Sequence, residues 1–243
     1  MTVHISKTIP ELIKAIAAHF ISVGNNAIAT RGEFNVVLSG GNSPKKLYEL
    51  LASPGYKEKI NWKKINFFFG DERVVPANDP ENNAYMVKRT LFDPLNISQS
   101  NIFPINTSLS PQEAAKSYTA TITEHLDSQE LQFDLILLGL GDNAHTASLF
   151  PYTPVLTEKS ASVQAVFLEG QKIYRISMTA PLINRARNIA FLVYGQEKAE
   201  AVHLVLEGEF DPEKYPAQLT NPLKGELHWF LDEAAASLLE RRF

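Results

Sequence analysis

Short apolar runs alternate along the chain with segments in which apolar residues recur at helical spacing. An apolar run bounded by glycine or polar residues is typical of a strand that is buried on both faces of a sheet. The strands predicted in this way, after an N-terminal one, are Asn35–Leu38, Ile65–Phe69, Leu135–Leu138, Val163–Phe167, Tyr174–Met178 and Ile189–Val193.

Helices are predicted between most of these strands. The N-terminal residues indicate a strand and then an amphipathic helix. Ser110-Pro111-Gln112-Glu113 has the serine, the first-turn proline and the glutamate that begin a helix, which should continue to about Leu126. The other predicted helices are Pro44–Leu51, Asn82–Leu91, Gln196–Leu206 and Leu227–Leu239.

This alternation predicts an α/β fold in a single domain over residues 1–243. We expect an open, doubly wound and mostly parallel sheet with helices on both faces, of a modified Rossmann-like kind. Within it, Val163–Met178 holds two strands around Glu169-Gly170-Gln171 and predicts a small antiparallel edge hairpin. The stretch Gly208–Gly225 is expected to be a surface excursion.

Composition narrows the possible partners. The formal net charge of −4 provides no basic field to attract a nucleic acid or an anionic membrane. No apolar run approaches the roughly 18 residues needed to span a bilayer, and the N-terminus lacks the cationic start of a signal peptide. The sequence contains no cysteine, which fits a reducing compartment, so we expect a cytoplasmic protein. The oligomeric state, monomer or small homo-oligomer, is left open.

Three predicted strands run directly into polar turns. Because ligands of open α/β sheets bind beyond the carboxyl ends of the strands, we expect one site built from three loops. In the first, Ser39, Gly40 and Gly41 lead through Asn42 to Ser43, at the predicted start of a helix. Glycine backbone and a helix N-terminus suit a phosphate. The alternative is a capped turn, with Ser43 as N-cap and Pro44 at the first helical position.

The second loop begins with Gly70-Asp71-Glu72-Arg73, immediately after an apolar run. The guanidinium of Arg73 is suited to binding a phosphate or a carboxylate. The alternative interpretation is a surface ion pair worth less than about 1 kcal/mol.

The third loop carries His145, which we expect at the start of a helix and which titrates near neutral pH. The preceding Gly139–Ala144 also matches the degenerate dinucleotide pattern G-x-G-x-x-A. We regard this match as a decoy, since His145 occupies the room that a pyrophosphate would need.

Two further cations, Arg175 and Lys198, lie at sheet-terminal positions and are candidates for an anion clamp. A zinc site is not expected, because no histidine pair has i, i+4 spacing and cysteine is absent. We therefore predict no metal.

Together these segments resemble the 6-phosphogluconolactonase family, which is related to the glucosamine-6-phosphate deaminases. The resemblance runs nearly end to end. It rests on Ser39-Gly40-Gly41 with Ser43-Pro44, Asp71-Glu72-Arg73 with Val75-Pro76, Glu81-Asn82-Asn83, His145 through Pro151, Arg175-Ile176-Ser177 with Pro181 and Asn184, Gly195 to Ala199, Pro216-Ala217 and Trp229-Phe230-Leu231-Asp232. The deaminases resemble H-I-A-F-N-E-P after the histidine, with a glutamate that this chain lacks, so lactonase is favoured.

The resemblance implies hydrolysis of 6-phospho-D-glucono-1,5-lactone to 6-phosphogluconate in the pentose phosphate pathway, without a metal or other cofactor. The substrate is a small phosphorylated sugar lactone. The catalytic set would be His145 as general base, Arg73 orienting the ring or stabilising the oxyanion, and Asp71. The Ser39–Ser43 loop, Arg175 and Lys198 would hold the phosphate, and Asn143 is counted with them as a substrate-binding residue.

Two positions depart from the family pattern, which usually has aspartate-glycine before the histidine. Here Asn143 keeps a hydrogen bond to the imidazole but loses the charge, and Ala144 would be strained if its φ is positive. Asp142 is a candidate to compensate. The alternatives are a non-catalytic sugar-phosphate binding protein, an amino-sugar-phosphate deaminase or isomerase, and more distantly a nicotinamide dehydrogenase.

Overall fold

Two β-sheets organise the fold in a computed structural model, which describes residues 1–126 and 130–241. The larger sheet has six parallel strands and the smaller has three antiparallel strands. In chain order the strands are β1 (Thr2–Ser6), β2 (Phe34–Leu38), β3 (Ile65–Phe69), β4 (Asp71–Arg73), β5 (Leu135–Leu138), β6 (Val163–Leu168), β7 (Ile173–Met178), β8 (Asn188–Val193) and β9 (Glu226–Asp232).

The helices mostly connect strands of the large sheet. They are α1 (Ile9–Arg31), α2 (Asn42–Leu51), α3 (Asn83–Val87), α4 (Asp93–Leu95), α5 (Pro111–His125), α6 (Ala180–Ile183) and α7 (Ala199–Leu206). A π-helical segment, Lys88–Phe92, joins α3 to α4. Single 3₁₀ turns occur at Trp62–Lys64, Gln99–Asn101, Pro154–Thr157, Gln196–Lys198 and Pro216–Leu219.

The large sheet has the strand order β1-β9-β8-β5-β2-β3, and all of its strands point the same way. Its inner strands β2 and β5 are buried at every position, as expected for a parallel sheet covered on both faces. Parallel pairing also brings the carboxyl ends of β2, β3, β5 and β8 to one edge. This edge is where a ligand site is expected.

The two faces of the large sheet are covered by different helical segments. Successive side chains of a strand point to opposite faces. Phe67 and Phe69 both contact Phe92, with ring centroids 5.0 and 6.5 Å apart, whereas Phe68 contacts His125 of α5 at 5.2 Å. The predicted doubly wound, mostly parallel α/β arrangement is therefore confirmed.

The predicted antiparallel hairpin is also present, as β6 and β7. It belongs to a separate three-stranded sheet with the order β4-β7-β6. The third strand, β4, follows β3 after Gly70 alone, and it pairs Asp71 with Ser177 and Arg73 with Arg175. The small sheet thus attaches directly to the carboxyl end of a strand of the large one.

Two helix starts show reciprocal side-chain capping, and that of α5 was expected from the sequence. Ser110 accepts the amide of Glu113, and the Glu113 carboxylate accepts the amide of Ser110, which is the reciprocal capping box expected from the sequence. Thr8 and Glu11 make the same pair at α1. Helix α1 is also long and apolar enough to pass a length-and-composition test for a membrane span. Its buried residues include Leu12 and Phe20, and its aromatic contacts include Phe34 of β2, so its apolar side serves the core.

The helix predicted over Leu227–Leu239 is wrong. Residues Glu226–Asp232 form β9, which pairs with β1 on one side and β8 on the other. Trp229 stacks on Phe191 at 3.9 Å and Phe230 stacks on His4 at 4.4 Å. A segment with apolar side chains directed to both faces fits a central strand position better than a helix with one apolar face. The Asn82–Leu91 helix is present, but its α-helical part ends at Val87.

Candidate active site

The carboxyl edge of the large sheet holds a cavity of about 620 Å³. Its lining combines the three loops predicted from the sequence with part of the small sheet. Nine of the ten predicted site residues line it: Ser39, Gly40, Gly41, Ser43, Asp71, Arg73, His145, Arg175 and Lys198. The tenth, Asn143, lines the neighbouring cavity and contacts His145.

The loop after β2 turns closely over its neighbours. A Cβ atom on Gly40 would lie 1.8 Å from Oδ1 of Asn83, and Gly41 has φ +99°, so both positions favour glycine. The Tyr48 hydroxyl accepts the Ser39 amide at 3.0 Å and donates to the Ser39 carbonyl at 2.8 Å, which anchors the loop on the buried side of α2.

The alternative of a side-chain-capped turn in this loop is wrong. Gly41 is the N-cap of α2, and Ser43 lies inside the helix. In the described part of the chain, no side chain caps the first amides of α2. The helix start, at the cavity wall, therefore presents backbone N–H groups and the positive end of the helix dipole to the cavity.

His145 does not begin a helix. Among the described residues, β5 is followed by turns and next by the 3₁₀ segment Pro154–Thr157. The turn is tight: the Gly141 amide donates to the His145 carbonyl at 2.8 Å, and a Cβ atom on Gly141 would lie 2.0 Å from Nδ1 of His145. The G-x-G-x-x-A match therefore lacks the helix that a dinucleotide site requires.

The orientation of the His145 ring is set by Asn143. The Asn143 side-chain oxygen Oδ1 lies 2.5 Å from Nδ1 of His145 and 3.4 Å from the His145 backbone nitrogen. A backbone N–H is only a donor, which identifies the facing atom as the oxygen. Nδ1 then carries the ring proton, and Nε2 keeps its lone pair.

Burial and charge both favour the neutral form of this imidazole. The ring stacks on Phe150 with centroids 4.0 Å apart. Burial first, and then the positive charges of Lys198, Arg175 and Arg73, lower the pKa of His145 to about 4, against an opposing effect of Asp142. At neutral pH, His145 is therefore an uncharged base.

The backbone around His145 is strained. Ala144, Ala147 and Tyr152 have φ values of +59°, +46° and +61°, in the left-handed region that costs an L-residue about 1–2 kcal/mol. Ala144 is buried, and its carbonyl accepts the amide of Ala217 at 2.9 Å. Through this hydrogen bond the Gly208–Gly225 segment supports the loop that carries His145. Such strained positions cluster at functional sites.

Three cations converge on the cavity. Arg73 and Arg175 are cross-strand partners, and Lys198 forms an ion pair with Asp142. Nε and Nη1 of Arg175 are buried and, within residues 1–126 and 130–241, have no hydrogen-bond partner. Burial and the charge of Arg73 lower the pKa of Arg175. Two buried guanidinium nitrogens without a partner among the described residues, beside like charge, are the arrangement expected of an anion site.

Arg73 is also not the surface ion pair of the alternative interpretation. Its Nη1 donates to the carbonyl of Glu81 at 2.7 Å, and in the part of the chain that the structure describes it has no carboxylate within ion-pair distance. Its charge therefore remains available to the cavity.

Asp71 connects the small sheet to the histidine loop. Its Oδ2 accepts the hydroxyl of Ser148 at 2.6 Å, and its carbonyl accepts Nδ2 of Asn83 at 2.9 Å. The Ser148 amide in turn donates to the Ser177 hydroxyl at 3.1 Å. Ser148 and Asn83 also line the cavity. Neither was among the predicted site residues, although both lie in the motifs quoted for the resemblance.

Glu72 was missed as well. It alternates with Asp71 and Arg73 along β4, so it points away from their cavity side, and it is fully buried. The available signals were its place in the quoted motif Asp71-Glu72-Arg73 and its position between two cavity residues on a short strand. Among the described residues there is also no group of three His, Cys, Asp or Glu that could hold a metal ion.

Comparison with known proteins gives a consistent result. Residues 7–229 match the family model described as glucosamine-6-phosphate isomerases/6-phosphogluconolactonase. A 6-phosphogluconolactonase of Synechocystis is 43% identical over 88% of each chain. One of Haemophilus influenzae is 38% identical over 84% of this chain and 87% of its own. The solved 6-phosphogluconolactonase of Trypanosoma cruzi superposes with a TM-score of 0.85 at 25% identity, covering 99% of this chain and 97% of its own.

Proposed function

Because the chain belongs to the glucosamine-6-phosphate isomerase/6-phosphogluconolactonase family, we propose that it is a 6-phosphogluconolactonase that uses His145 as a general base and needs no metal ion. The reaction is the hydrolysis of 6-phospho-D-glucono-1,5-lactone to 6-phosphogluconate, a step of the pentose phosphate pathway. We place it in the cytoplasm, acting as a monomer or a small homo-oligomer.

One observation carries the proposal: an uncharged imidazole with its Nδ1 proton held by Asn143 faces a cavity that is lined by three cations. Lactone hydrolysis needs a base to activate water, a donor for the carbonyl oxygen as it gains charge, and a grip on the remote phosphate. The cavity offers a separate group for each of these tasks.

In the proposed reaction, the oxygen of a water molecule bonds to the lactone carbonyl carbon while Nε2 of His145 takes a water proton. Such general-base assistance is worth roughly 10²–10⁴ in rate. The carbonyl oxygen becomes an oxyanion, which the Arg73 guanidinium stabilises. The oxyanion then re-forms the carbonyl, the bond to the ring oxygen breaks, and the ring oxygen takes the proton from the imidazolium. The products are a hydroxyl group and a carboxylic acid, which ionises.

The phosphate is assigned to the Ser39–Ser43 loop, Arg175 and Lys198. The α2 amides, the serine hydroxyls and two cations are all suited to a dianion. Binding of the dianion also offsets the positive charges that lower the pKa of His145. The substrate therefore makes its own base stronger when it binds.

A binding protein without turnover is the second candidate, and Asn143 is the observation that favours it. An amide orients His145 but stabilises the imidazolium less than a carboxylate does. The deaminase alternative is less well supported. Aligned on the histidine, the deaminase pattern places its glutamate at Phe150, which here stacks on the catalytic ring.

The test is the rate of lactone hydrolysis by the purified protein against the spontaneous rate, in parallel with His145→Ala. His203→Ala, on α7 beside Glu207, is the matched control. The proposal expects strong acceleration in the wild type and the control, with loss in His145→Ala. Binding of 6-phosphogluconate without acceleration would instead make the chain a phosphosugar-binding protein. Release of ammonia from an amino-sugar phosphate would identify a deaminase.

A further inference from the structure

The most heavily bonded buried carboxylate near the cavity is that of Glu72, which has no role in the reaction proposed above. Oε1 accepts the amide of Arg73 at 2.8 Å and the amide of Asn83 at 2.7 Å, and Oε2 accepts the amide of Ala84 at 2.9 Å. The side chain has no exposed surface. Three backbone donors on one buried carboxylate constitute a charge-assisted junction between β4 and the start of α3.

This junction reaches two of the three cavity loops. The residues on either side of Glu72 in β4 are Asp71 and Arg73, both in the cavity wall. Asn83, whose amide Glu72 accepts, donates its side-chain Nδ2 to the Asp71 carbonyl and lies against Gly40 so closely that a Cβ atom there would overlap it. A shift at Glu72 is therefore transmitted both to β4 and to the loop after β2.

We propose that Glu72 is a positioning residue of this active site: its carboxylate holds β4 to the first amides of α3 and thereby fixes Arg73, Asp71 and the Gly40 turn at the cavity. The activity measurements that test this inference rest on the proposed function, whereas the contacts of Glu72 do not depend on it. The group does not contact the cavity, so it acts only through the residues that it holds.

Three amide donors require an acceptor-only partner, which makes the ionised form of Glu72 the useful one. Burial, with a smaller effect of Asp71, raises the pKa of Glu72 to about 7 despite its three hydrogen bonds. The other groups that sense its charge are Arg175 on β7 and Tyr118 on α5. Since the folded-state pKa is raised to about 7, the carboxylate becomes protonated as the pH falls through that value. It then places a hydroxyl where an amide donor needs an acceptor.

The test compares Glu72→Gln with Asp134→Asn over about pH 5 to 9. Asp134 is the matched control, because it is also a buried carboxylate that accepts a backbone amide, from Asn35 at 2.8 Å. It directly precedes β5, at the amino end of the strand, whereas the cavity lies at the carboxyl end. Glutamine keeps the shape of Glu72 but turns an amide group toward one of the three donors. A misplaced catalytic group costs up to about 10²-fold.

We expect kcat/KM of Glu72→Gln to fall on the order of 10- to 100-fold at pH 8. In the wild type, kcat/KM should decline as the pH falls through about 7, and we expect this decline to be absent in Glu72→Gln. Glu72→Asp should recover part of the lost kcat/KM and part of its pH dependence. Asp134→Asn should lower the melting temperature and leave kcat/KM and its pH profile unchanged. If Glu72→Gln does not fold, Glu72→Asp carries the test, with a reduced kcat/KM expected.

The inference would be overturned if a folded Glu72→Gln protein kept the wild-type kcat/KM and pH profile. If Glu72→Gln does not fold, the same result in Glu72→Asp would overturn it. Equal loss of activity in Asp134→Asn would also overturn it, because general destabilisation would then explain the effect. If the wild type does not accelerate hydrolysis, the proposed function fails instead. Glu72 is then tested by calorimetric binding of 6-phosphogluconate, which Glu72→Gln should weaken and Asp134→Asn should not.

Discussion

The side-chain oxygen of Asn143 lies 2.5 Å from Nδ1 of His145, so an amide holds the ring of the candidate base. The contact fixes the tautomer with the proton on Nδ1 and leaves Nε2 unprotonated. An amide supplies no negative charge, and Asp142, the adjacent carboxylate, is paired with Lys198. Orientation and charge support of the imidazole, which one aspartate would combine, are therefore separate in this chain.

Asn143→Asp should increase kcat. A carboxylate at this position stabilises the imidazolium formed during proton transfer, and each pKa unit gained by His145 corresponds to about 1.4 kcal/mol. We expect a roughly tenfold rise in kcat, with a higher pKa for His145 when its ring is titrated by NMR. Asn143→Ala, which frees the ring, should lower kcat. A decrease in both variants would show that charge at this position does not assist the reaction.

Gly141→Ala should remove activity without unfolding the protein. The new Cβ atom would lie 2.0 Å from Nδ1 of His145, so the ring must leave its position, and a displaced base costs about 10²-fold or more in kcat. Gly139→Ala is the matched control in the same turn, because its Cβ atom would meet nothing within 4 Å. We expect steady-state kinetics to separate the two variants clearly. Similar kcat values in both would contradict the placement of His145 against Gly141.

Much of this geometry could be predicted because each strand end carries its own signal. The apolar run Ile65–Phe69 became β3 with the same bounds, and Ser110 with Glu113 formed the expected capping box. Parallel pairing then brought the separate loops to one edge, so that His145 and Arg73 line the same cavity. Local patterns were sufficient here because the fold agrees with them.

The errors arose where tertiary context decides the outcome. Leu227–Leu239 has apolar spacing compatible with a helix, but the position between β1 and β8 in the sheet requires a strand with two apolar faces. His145 was expected to start a helix, and the positive φ of Ala144 turns the chain away instead. The contacts of Glu72 could not be predicted, because two of the three amides that it accepts come from the start of α3, which the fold brings to β4.

Arg175→Met should weaken phosphate binding while stabilising the fold. The methionine removes a half-buried charge whose Nε and Nη1 have no partner in the described part of the chain, and a buried unsatisfied polar group costs about 1–3 kcal/mol. We expect the free energy of unfolding in urea to rise by about 1 kcal/mol.

The same substitution should raise the Kd for 6-phosphogluconate by at least about tenfold, since a charge-assisted hydrogen bond to an anion contributes about 1.5–3 kcal/mol. Arg185→Met, outside the cavity, serves as the arginine control and should leave this Kd unchanged. A stable Arg175→Met protein with wild-type Kd would exclude Arg175 from the anion clamp.

His19→Leu should reduce the loss of stability in mild acid. His19 Nε2 is buried without a partner in the described part of the chain, and burial, with the nearby His228 and His4, lowers its pKa to about 4. The unfolded chain, with a histidine pKa near 6.5, therefore binds the proton more readily than the folded chain. The resulting linkage decreases folded-state stability as the pH falls from about 6.5 toward 4.

Leucine has no proton to bind, so this contribution should disappear in His19→Leu. Urea unfolding at pH 7 and pH 5 should show a stability loss about 2 kcal/mol smaller than in the wild type. His203→Leu removes a histidine that lies beside Glu207, at 3.1 Å, and should leave the acid sensitivity in place. Because His145 is present in all three proteins, its own acid sensitivity cancels in the comparison. An undiminished loss in His19→Leu would mean that the His4–His19–His228 cluster relaxes to accept its proton without cost.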